Sequence, residues 1–217
     1  MLIAYWAAKG GSGATVLAAA HALRLAATTP TLLVDLDGDL PATLGVPEPA
    51  AGIAEWSVAG DKVPVDALDR IAVSIGPNLQ LIGRGSGGLA ADRADVLADL
   101  LARSPHTVVV DGGSRPGPVA SSVIRHAHRS ILVTRACYLA IRRFGDLDLA
   151  PTEVALVREP QRALGSDDVE AAIGVPVRTR IAVDPGIARA VDSGLLASRL
   201  PRALVRAITP GVQRIAS

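Results

Sequence analysis

The chain has 217 residues, of which 49% are apolar, 20% are charged and only 2% are aromatic, and its formal net charge is +1. This composition excludes a disordered chain, which combines low hydrophobicity with high net charge. The single cysteine, Cys137, excludes a disulfide scaffold. No run of about 18 apolar residues predicts a membrane span. Because the N-terminus also lacks the features of a secretory signal, the expected compartment is the cytoplasm.

Short apolar strands and helices alternate along the chain. In chain order, the pattern predicts strand 2–6, helix 14–27, strands 31–35, 71–75 and 79–82, helix 90–103, strand 106–111, helix 118–128, strand 130–134, helix 138–148, strand 153–157, helix 166–173, strand 175–183, and helices 184–192 and 199–208. Nearly continuous apolar strands between helices are typical of a parallel sheet covered on both faces. We therefore predict one α/β domain over 1–217, with a doubly wound, mainly parallel sheet.

Residues capable of chemistry follow three of the predicted strands. The glycine-rich segment 9–15 follows the first strand, Asp35 and Asp37 follow the second, and Asp111 ends the strand 106–111. Ligands of open α/β sheets bind at the carboxyl ends of the strands. The sequence therefore predicts a binding site where these three segments meet.

The segment 9–15 reads Lys-Gly-Gly-Ser-Gly-Ala-Thr and lies between a predicted strand and a predicted helix. In this context, backbone N–H groups wrap a phosphate and a hydroxyl such as that of Thr15 ligates Mg²⁺. Ala14 stands where such loops usually have a lysine. Because a charge-assisted phosphate contact contributes ~1.5–3 kcal/mol, its absence predicts binding weakened roughly tenfold to a hundredfold, and very slow hydrolysis.

The loop resembles the deviant Walker A motif of the MinD/ParA family of P-loop proteins, and five later segments resemble that family's motifs in the same order. These segments are LLVDLDGDLPATLGV, GIAEWSVAG with NLQLIGRGSGG, HTVVVDGGSRPG, ILVTRACYLAIRR and IGVPVRTRIAVDPGIARAVDSGL. The resemblance covers nearly the whole chain and implies the P-loop NTPase fold.

The resemblance also implies roles for individual residues. Lys9 matches the signature lysine, which contacts the partner subunit's nucleotide in an ATP-sandwiched dimer. Asp37 matches the acid that positions or activates the attacking water. These two are the candidate catalytic residues, and ATP with Mg²⁺ is the implied cofactor pair.

Arg158 takes the place of the asparagine that usually reads adenine, which makes it the candidate base contact. The candidate nucleotide-binding residues are therefore Lys9, Gly10, Gly11, Ser12, Gly13, Ala14, Thr15 and Arg158. The candidate metal-binding residues are Thr15, Asp35 and Asp111. An equally weighted interpretation of Asp35 is a carboxylate that caps a turn.

An alanine at position 14 resembles the CpaE/TadZ branch of the family, which helps to place Tad pilus machinery. The resemblance implies a positioning or assembly factor that binds ATP and is at most a slow ATPase. It implies a cytoplasmic homodimer that sandwiches nucleotide, that is recruited to a cell pole or membrane site, and whose protein partners belong to a pilus or positioning apparatus.

Four alternatives remain open at this point. The chain could be a pseudo-ATPase scaffold that binds no nucleotide, or a ParA-like DNA-partitioning ATPase. Six arginines and no acid lie between Asp111 and Asp146, and this run would supply the DNA-binding surface. A third alternative, ranked last, is a synthetase that uses ATP and a small acid. In the fourth, the C-terminal segment 198–216 lies on a membrane surface instead of closing the domain.

Overall fold

The computed structural model describes residues 1–59 and 66–212, with side chains to residue 208, and in these ranges the strands form one eight-stranded sheet. The strands are β1 (Leu2–Ala7), β2 (Thr31–Asp35), β3 (Val73–Gly76), β4 (Leu79–Ile82), β5 (Thr107–Ser114), β6 (Arg129–Arg135), β7 (Glu153–Arg158) and β8 (Val177–Ala182). The central strands are almost wholly buried, as a sheet with helices on both faces requires.

Helices lie between and after the strands. They are α1 (Ala14–Leu25), α2 (Leu40–Leu44), α3 (Ile53–Val58), α4 (Ala67–Ile71), α5 (Ala94–Ala102), α6 (Pro118–His126), α7 (Tyr138–Gly145), α8 (Ser166–Ile173), α9 (Pro185–Asp192) and α10 (Arg202–Val212). The helix α1, which leads away from the glycine loop, is built mostly from alanine and leucine, two of the best helix formers.

The order of strands across the sheet is β3-β4-β2-β5-β1-β6-β7-β8, and only the pair β3–β4 is antiparallel. Strand β5 lies between β1 and β2, so that Tyr5 and Asp35 are both in register with Asp111. The loops that follow β1, β2 and β5 therefore open side by side at one edge of the sheet, where the sequence predicts the site.

Two apolar layers, one on each face of the sheet, hold these strands in place. Trp6 lies in the layer that includes residues of α5 and α6, whereas Tyr5 lies in the layer that includes residues of α1 and α10. Each fully buried leucine, isoleucine or valine contributes roughly 1.5–3 kcal/mol. The loops of the site therefore project from the most deeply buried strands of the molecule.

The predicted fold class is confirmed, but some element boundaries differ. The strand predicted at 71–75 begins at Val73, because Ile71 ends the helix α4. The last helix begins at Arg202 and not at residue 199, because Pro201 disfavours the helical conformation of Leu200 before it. The short helices α2, α3 and α4 are absent from the prediction, since five or six residues are too few to show a helical period.

The helix α10 contributes to the core. Leu204 and Ile208 are buried in the same layer as α1, which favours the domain-closing interpretation over the membrane-surface one for this part of segment 198–216. Residues 213–216 of that segment lie outside the described ranges. Within those ranges, no helix combines the length and apolarity that crossing a bilayer would require.

Candidate functional site

The glycine loop adopts a conformation that leaves the start of α1 open to an anion. Gly11 and Gly13 have φ values of 74° and 95°, in the left-handed region that favours glycine. The Ser12 hydroxyl donates a hydrogen bond of 2.7 Å to the Lys9 carbonyl and closes the turn. The helix α1 has no side-chain cap and no acid in its first turn. Its first N–H groups and its dipole therefore suit a phosphate.

The loop forms one wall of an open cleft of about 610 Å³, which we call the phosphate cleft. Lys9 and the rest of the loop line it together with Asp37 and Asp39 after β2, Gly113 and Ser114 at the end of β5, and Val191 and Asp192 of α9. Among these lining residues there is one cation, Lys9, against three aspartates. Ala14 also lines the cleft, so the site has an alanine where such loops usually have a lysine.

Asp111 is fully buried beneath the phosphate cleft. Its Oδ1 accepts a hydrogen bond of 3.1 Å from the Gly113 N–H, while Oδ2 has no hydrogen-bond partner among the described residues. Burial raises the pKa of this carboxyl to about 7; the charges of Asp35 and Asp37 add to the rise, and the Thr15 hydroxyl and the Gly113 N–H oppose it. A buried carboxylate with one free oxygen, next to a hydroxyl, fits a divalent cation.

Asp35, the neighbour of Asp111 in the sheet, makes three hydrogen bonds to its own loop. Oδ1 accepts from the N–H groups of Asp37 and Gly38 at 3.0 and 2.6 Å, and Oδ2 accepts from Leu40 at 2.9 Å. Burial raises its pKa, and these three bonds lower it. Such bonding favours the turn-capping interpretation; direct contact of Asp35 with a metal stays a prediction.

Asp37 is exposed in the phosphate cleft, as a residue that meets a water molecule must be. Its carboxyl group lies against Gly113, where an added Cβ would be 2.4 Å from the Asp37 Cγ. Gly113 also has a φ of 69°, so this position needs glycine on both counts. Burial and the charge of Asp39 raise the pKa of Asp37, and Arg84 lowers it. The sequence analysis does not single out Gly113.

A second, smaller cleft of about 230 Å³ adjoins the first, and we call it the apolar cleft. Its walls include Val16 and Leu17 of α1, Val157 of β7, Ile181 of β8 and Ile187 of α9. Ser12, Gly13, Val16, Val191 and Asp192 line both clefts, which marks the place where they join. An apolar recess beside a phosphate-binding loop fits the flat base of a nucleotide.

The predicted base contact, Arg158, ends the strand β7 but lines neither cleft. Its neighbour Val157 lines the apolar cleft instead, since successive side chains of a strand point to opposite faces. Two residues of the apolar cleft that the sequence analysis missed are Arg135, at the end of β6, and Ile187. Their only signal is their position at the carboxyl ends of β6 and β8, which requires the strand order.

The arginine run between Asp111 and Asp146 does not form one free basic face. Three of its members pair with acids from outside the run: Arg125 with Asp148 at 3.3 Å, Arg129 with Glu153 at 2.7 Å, and Arg135 with Glu159. They lie on α6 and at the two ends of β6. This arrangement weighs against the interpretation as a DNA-binding surface.

No family model matches the sequence, and no curated protein matches it significantly. Solved structures do resemble it. A ParA family ATPase from Chlorobium tepidum TLS superposes with a TM-score of 0.83 at 24% identity, covering 99% of this chain and 98% of the other. The septum site-determining protein MinD from Pyrococcus horikoshii OT3, complexed with Mg-ADP, gives 0.81 at 17% identity, with 99% and 97% covered.

The ATP complex of a singly substituted McdA from Cyanothece gives a TM-score of 0.71 at 18% identity, with 98% and 94% of the two chains covered. The likeness extends over nearly the full length of each chain. The chain therefore has the P-loop NTPase fold of the ParA and MinD ATPases, as its eight-stranded, mainly parallel sheet also indicates.

Proposed function

We propose that this chain is a MinD/ParA-type positioning factor whose state depends on ATP and Mg²⁺. The observation that carries the proposal is a juxtaposition in one cleft: an uncapped helix start behind a glycine loop, above a buried aspartate with a free oxygen. Fold neighbours that are complexed with Mg-ADP and ATP support it.

The residues of the site fit this cofactor pair. The N–H groups of the glycine loop would hold the phosphates, and the Thr15 hydroxyl and Asp111 would hold Mg²⁺. Bound Mg²⁺ would supply the positive charge that the phosphate cleft lacks, since Lys9 faces three aspartates there. The apolar cleft would take the base.

Hydrolysis at this site would be very slow. Asp37 presents an exposed carboxylate to the cleft and would orient the attacking water. Ala14, however, offers no cation to stabilise the charge that develops on the phosphate oxygens during transfer. The chain would therefore act as a switch with at most a slow ATPase activity.

The output of such a switch is a dimerisation state that protein partners recognise. Lys9 lies at the cleft wall and makes no ion pair with any described residue, so its ammonium group is available to a second subunit's nucleotide. Because Ala14 resembles the CpaE/TadZ branch, we further propose cytoplasmic Tad pilus machinery, placed at a cell pole or membrane site, as the cargo.

The test is a calorimetric titration of the wild-type protein, Lys9→Ala and Lys9→Arg with ATP–Mg²⁺, with the oligomer mass followed in parallel. We expect the wild type to bind and dimerise, Lys9→Ala to do neither or to bind without dimerising, and Lys9→Arg to retain part of both. Rapid ATP turnover in a clean preparation would contradict the proposed slow switch.

A nucleotide-free scaffold is the second candidate, and Ala14 is the observation that favours it. The same titration separates the two. If the wild-type protein binds no ATP at millimolar concentration, the loop is a relic and the function lies in protein contacts alone. The DNA-partition alternative would require salt-dependent DNA binding, and three of the six arginines of the run are already paired with acids.

A further inference from the structure

Arg135, the last residue of β6, is a cation at the edge of the apolar cleft. It lines this cleft together with Ser12 and Gly13 of the glycine loop. Its Nε is buried and has no hydrogen-bond partner among the described residues. A buried N–H group without an acceptor is destabilising, because it has lost its hydrogen bond to water and gained none in return. The empty protein therefore holds a guanidinium with an unused donor beside the loop.

Glu159, in the segment after β7, holds the other end of this guanidinium. Its Oε1 accepts a hydrogen bond from Nη1 of Arg135, and its Oε2 pairs with Arg162. The hydrogen bond from Arg162, together with the charge of Arg135, lowers the pKa of Glu159. Because Arg162 would stay with the carboxylate, Arg135 can turn toward a ligand without leaving Glu159 unpaired.

The position of Arg135 indicates which part of a ligand it would meet. Ser12 and Gly13 line both clefts, so a nucleotide with its terminal phosphates on the loop and its base in the apolar cleft must cross the junction there. The group that crosses is the phosphate next to the ribose. Guanidinium groups bind phosphate oxygens through two parallel N–H donors.

We propose that Arg135 contacts the ribose-side phosphate of the bound nucleotide and supplies part of the positive charge that Ala14 does not. This proposal rests on the proposed function, because it assumes that the two clefts hold one nucleotide. Arg135 is then a binding residue that pairs with Glu159 while the site is empty and with the nucleotide when it is bound. The compensation comes from this chain's own β6, independently of Lys9 and of any second subunit.

The experiment compares ADP–Mg²⁺ affinity in the wild type, Arg135→Met, Arg135→Lys and Arg162→Met at two salt concentrations. Methionine keeps the length of the side chain and removes its charge. Arg162 is the matched control, since it pairs with the same Glu159 but does not line the cleft. We expect Arg135→Met to weaken binding roughly tenfold to a hundredfold and Arg135→Lys to recover part of the loss. Arg162→Met should weaken binding by no more than about threefold, because it removes only one partly exposed ion pair of Glu159.

A direct charge contact also predicts a weaker salt dependence of ADP binding in Arg135→Met, because one screened attraction has been removed. Thermal unfolding of each variant checks that the fold is intact. Wild-type affinity in Arg135→Met, or an equal loss in Arg162→Met, would overturn the contact. Absence of binding by the wild type would instead overturn the proposed function. Glu159→Gln should bind at least as tightly as the wild type; weaker binding would overturn the role of Glu159 as the competing partner.

Discussion

The two adjoining clefts differ in the polarity of the residues that line them. The phosphate cleft has a glycine-rich backbone, three aspartates and a single lysine, and the buried carboxyl of Asp111 lies next to it. The apolar cleft has mostly aliphatic walls, with one arginine and two aspartates, Asp184 and Asp192, at its edge. Neither is complete as a binding site for an anion: the first lacks positive charge and the second lacks area. Together they suit a ligand that carries its own cation at one end and a flat apolar group at the other.

The largest effect that we expect is on the free energy of unfolding, when the buried acid Asp111 next to the phosphate cleft is replaced. Burial raises its pKa from 3.8 to about 7 in the folded protein. The stability linked to this group is therefore present at low pH, and it is lost as the pH rises toward and through 7, where the folded protein must ionise a buried acid. Asp111→Asn should gain nothing near pH 4 and up to about 4 kcal/mol above pH 7, measured by denaturant unfolding without Mg²⁺.

The same variant should pay for that gain in ligand binding. Without a carboxylate at position 111, Mg²⁺-dependent ATP affinity should fall at least tenfold. Serving as the control, Asp39→Asn removes an exposed acid of the cleft and should change stability by less than about 0.5 kcal/mol. If Asp111→Asn were destabilising at pH 8, the free oxygen would have a partner that the structure does not show.

Removal of Mg²⁺ changes the net charge of the phosphate cleft and leaves the apolar cleft unchanged. With a chelator present, the cleft offers a triphosphate one lysine and three aspartates, so we expect ATP affinity to fall about a hundredfold. A fluorescent ATP analogue titrated with and without EDTA measures this. An unchanged affinity would mean that the ligand is held by the apolar cleft and Arg135 only.

Ala14→Lys should restore the missing charge of the loop. Ala14 lines the phosphate cleft, so a lysine there would bring an ammonium group to it. We expect ATP to bind about tenfold more tightly and hydrolysis to become faster. Ala14→Met adds similar bulk without charge and should produce neither gain. A tighter Ala14→Met would show that added contact area, and not charge, limits the affinity.

The smallest effect tests the apolar cleft. Ile187→Ser removes a side chain from its α9 wall and should weaken ATP binding about threefold to fivefold, the equivalent of roughly one buried methylene. Inorganic triphosphate, which has no base, should bind the variant and the wild type alike. Equal weakening of both ligands would show that Ile187 shapes the phosphate cleft instead.

The sequence is sufficient to predict the phosphate cleft but not the apolar one. Segment 9–15, Asp37 and Asp111 follow strands whose apolar runs are plain, and parallel strands must end at one edge. Which of these segments become neighbours in the cleft then depends on the order of β1, β2 and β5 in the sheet. The fold class depends on the same pattern and is predictable for the same reason.

Arg135 and Ile187 carry no comparable local signal. They reach the apolar cleft only because β6 packs beside β1 and the chain returns through β8 to α9. Arg158 shows the converse, since its position in the sequence suggests a base contact, yet it lines neither cleft, whereas its neighbour Val157 lines the apolar one. The base contact of Arg158 stays a prediction. Likewise, the three hydrogen bonds of Asp35 depend on the conformation of residues 37–40, which composition does not specify.

The helix α9 forms part of the wall of both clefts through Val191 and Asp192, yet none of its residues is fully buried. A segment with so little buried surface opens at low free-energy cost. A ligand that needs this wall would raise that cost by an amount that grows with its concentration relative to its Kd. Amide hydrogen exchange in α9 would then slow as the site fills. Because α9 lies at the molecular surface, another protein could bind preferentially to its closed form.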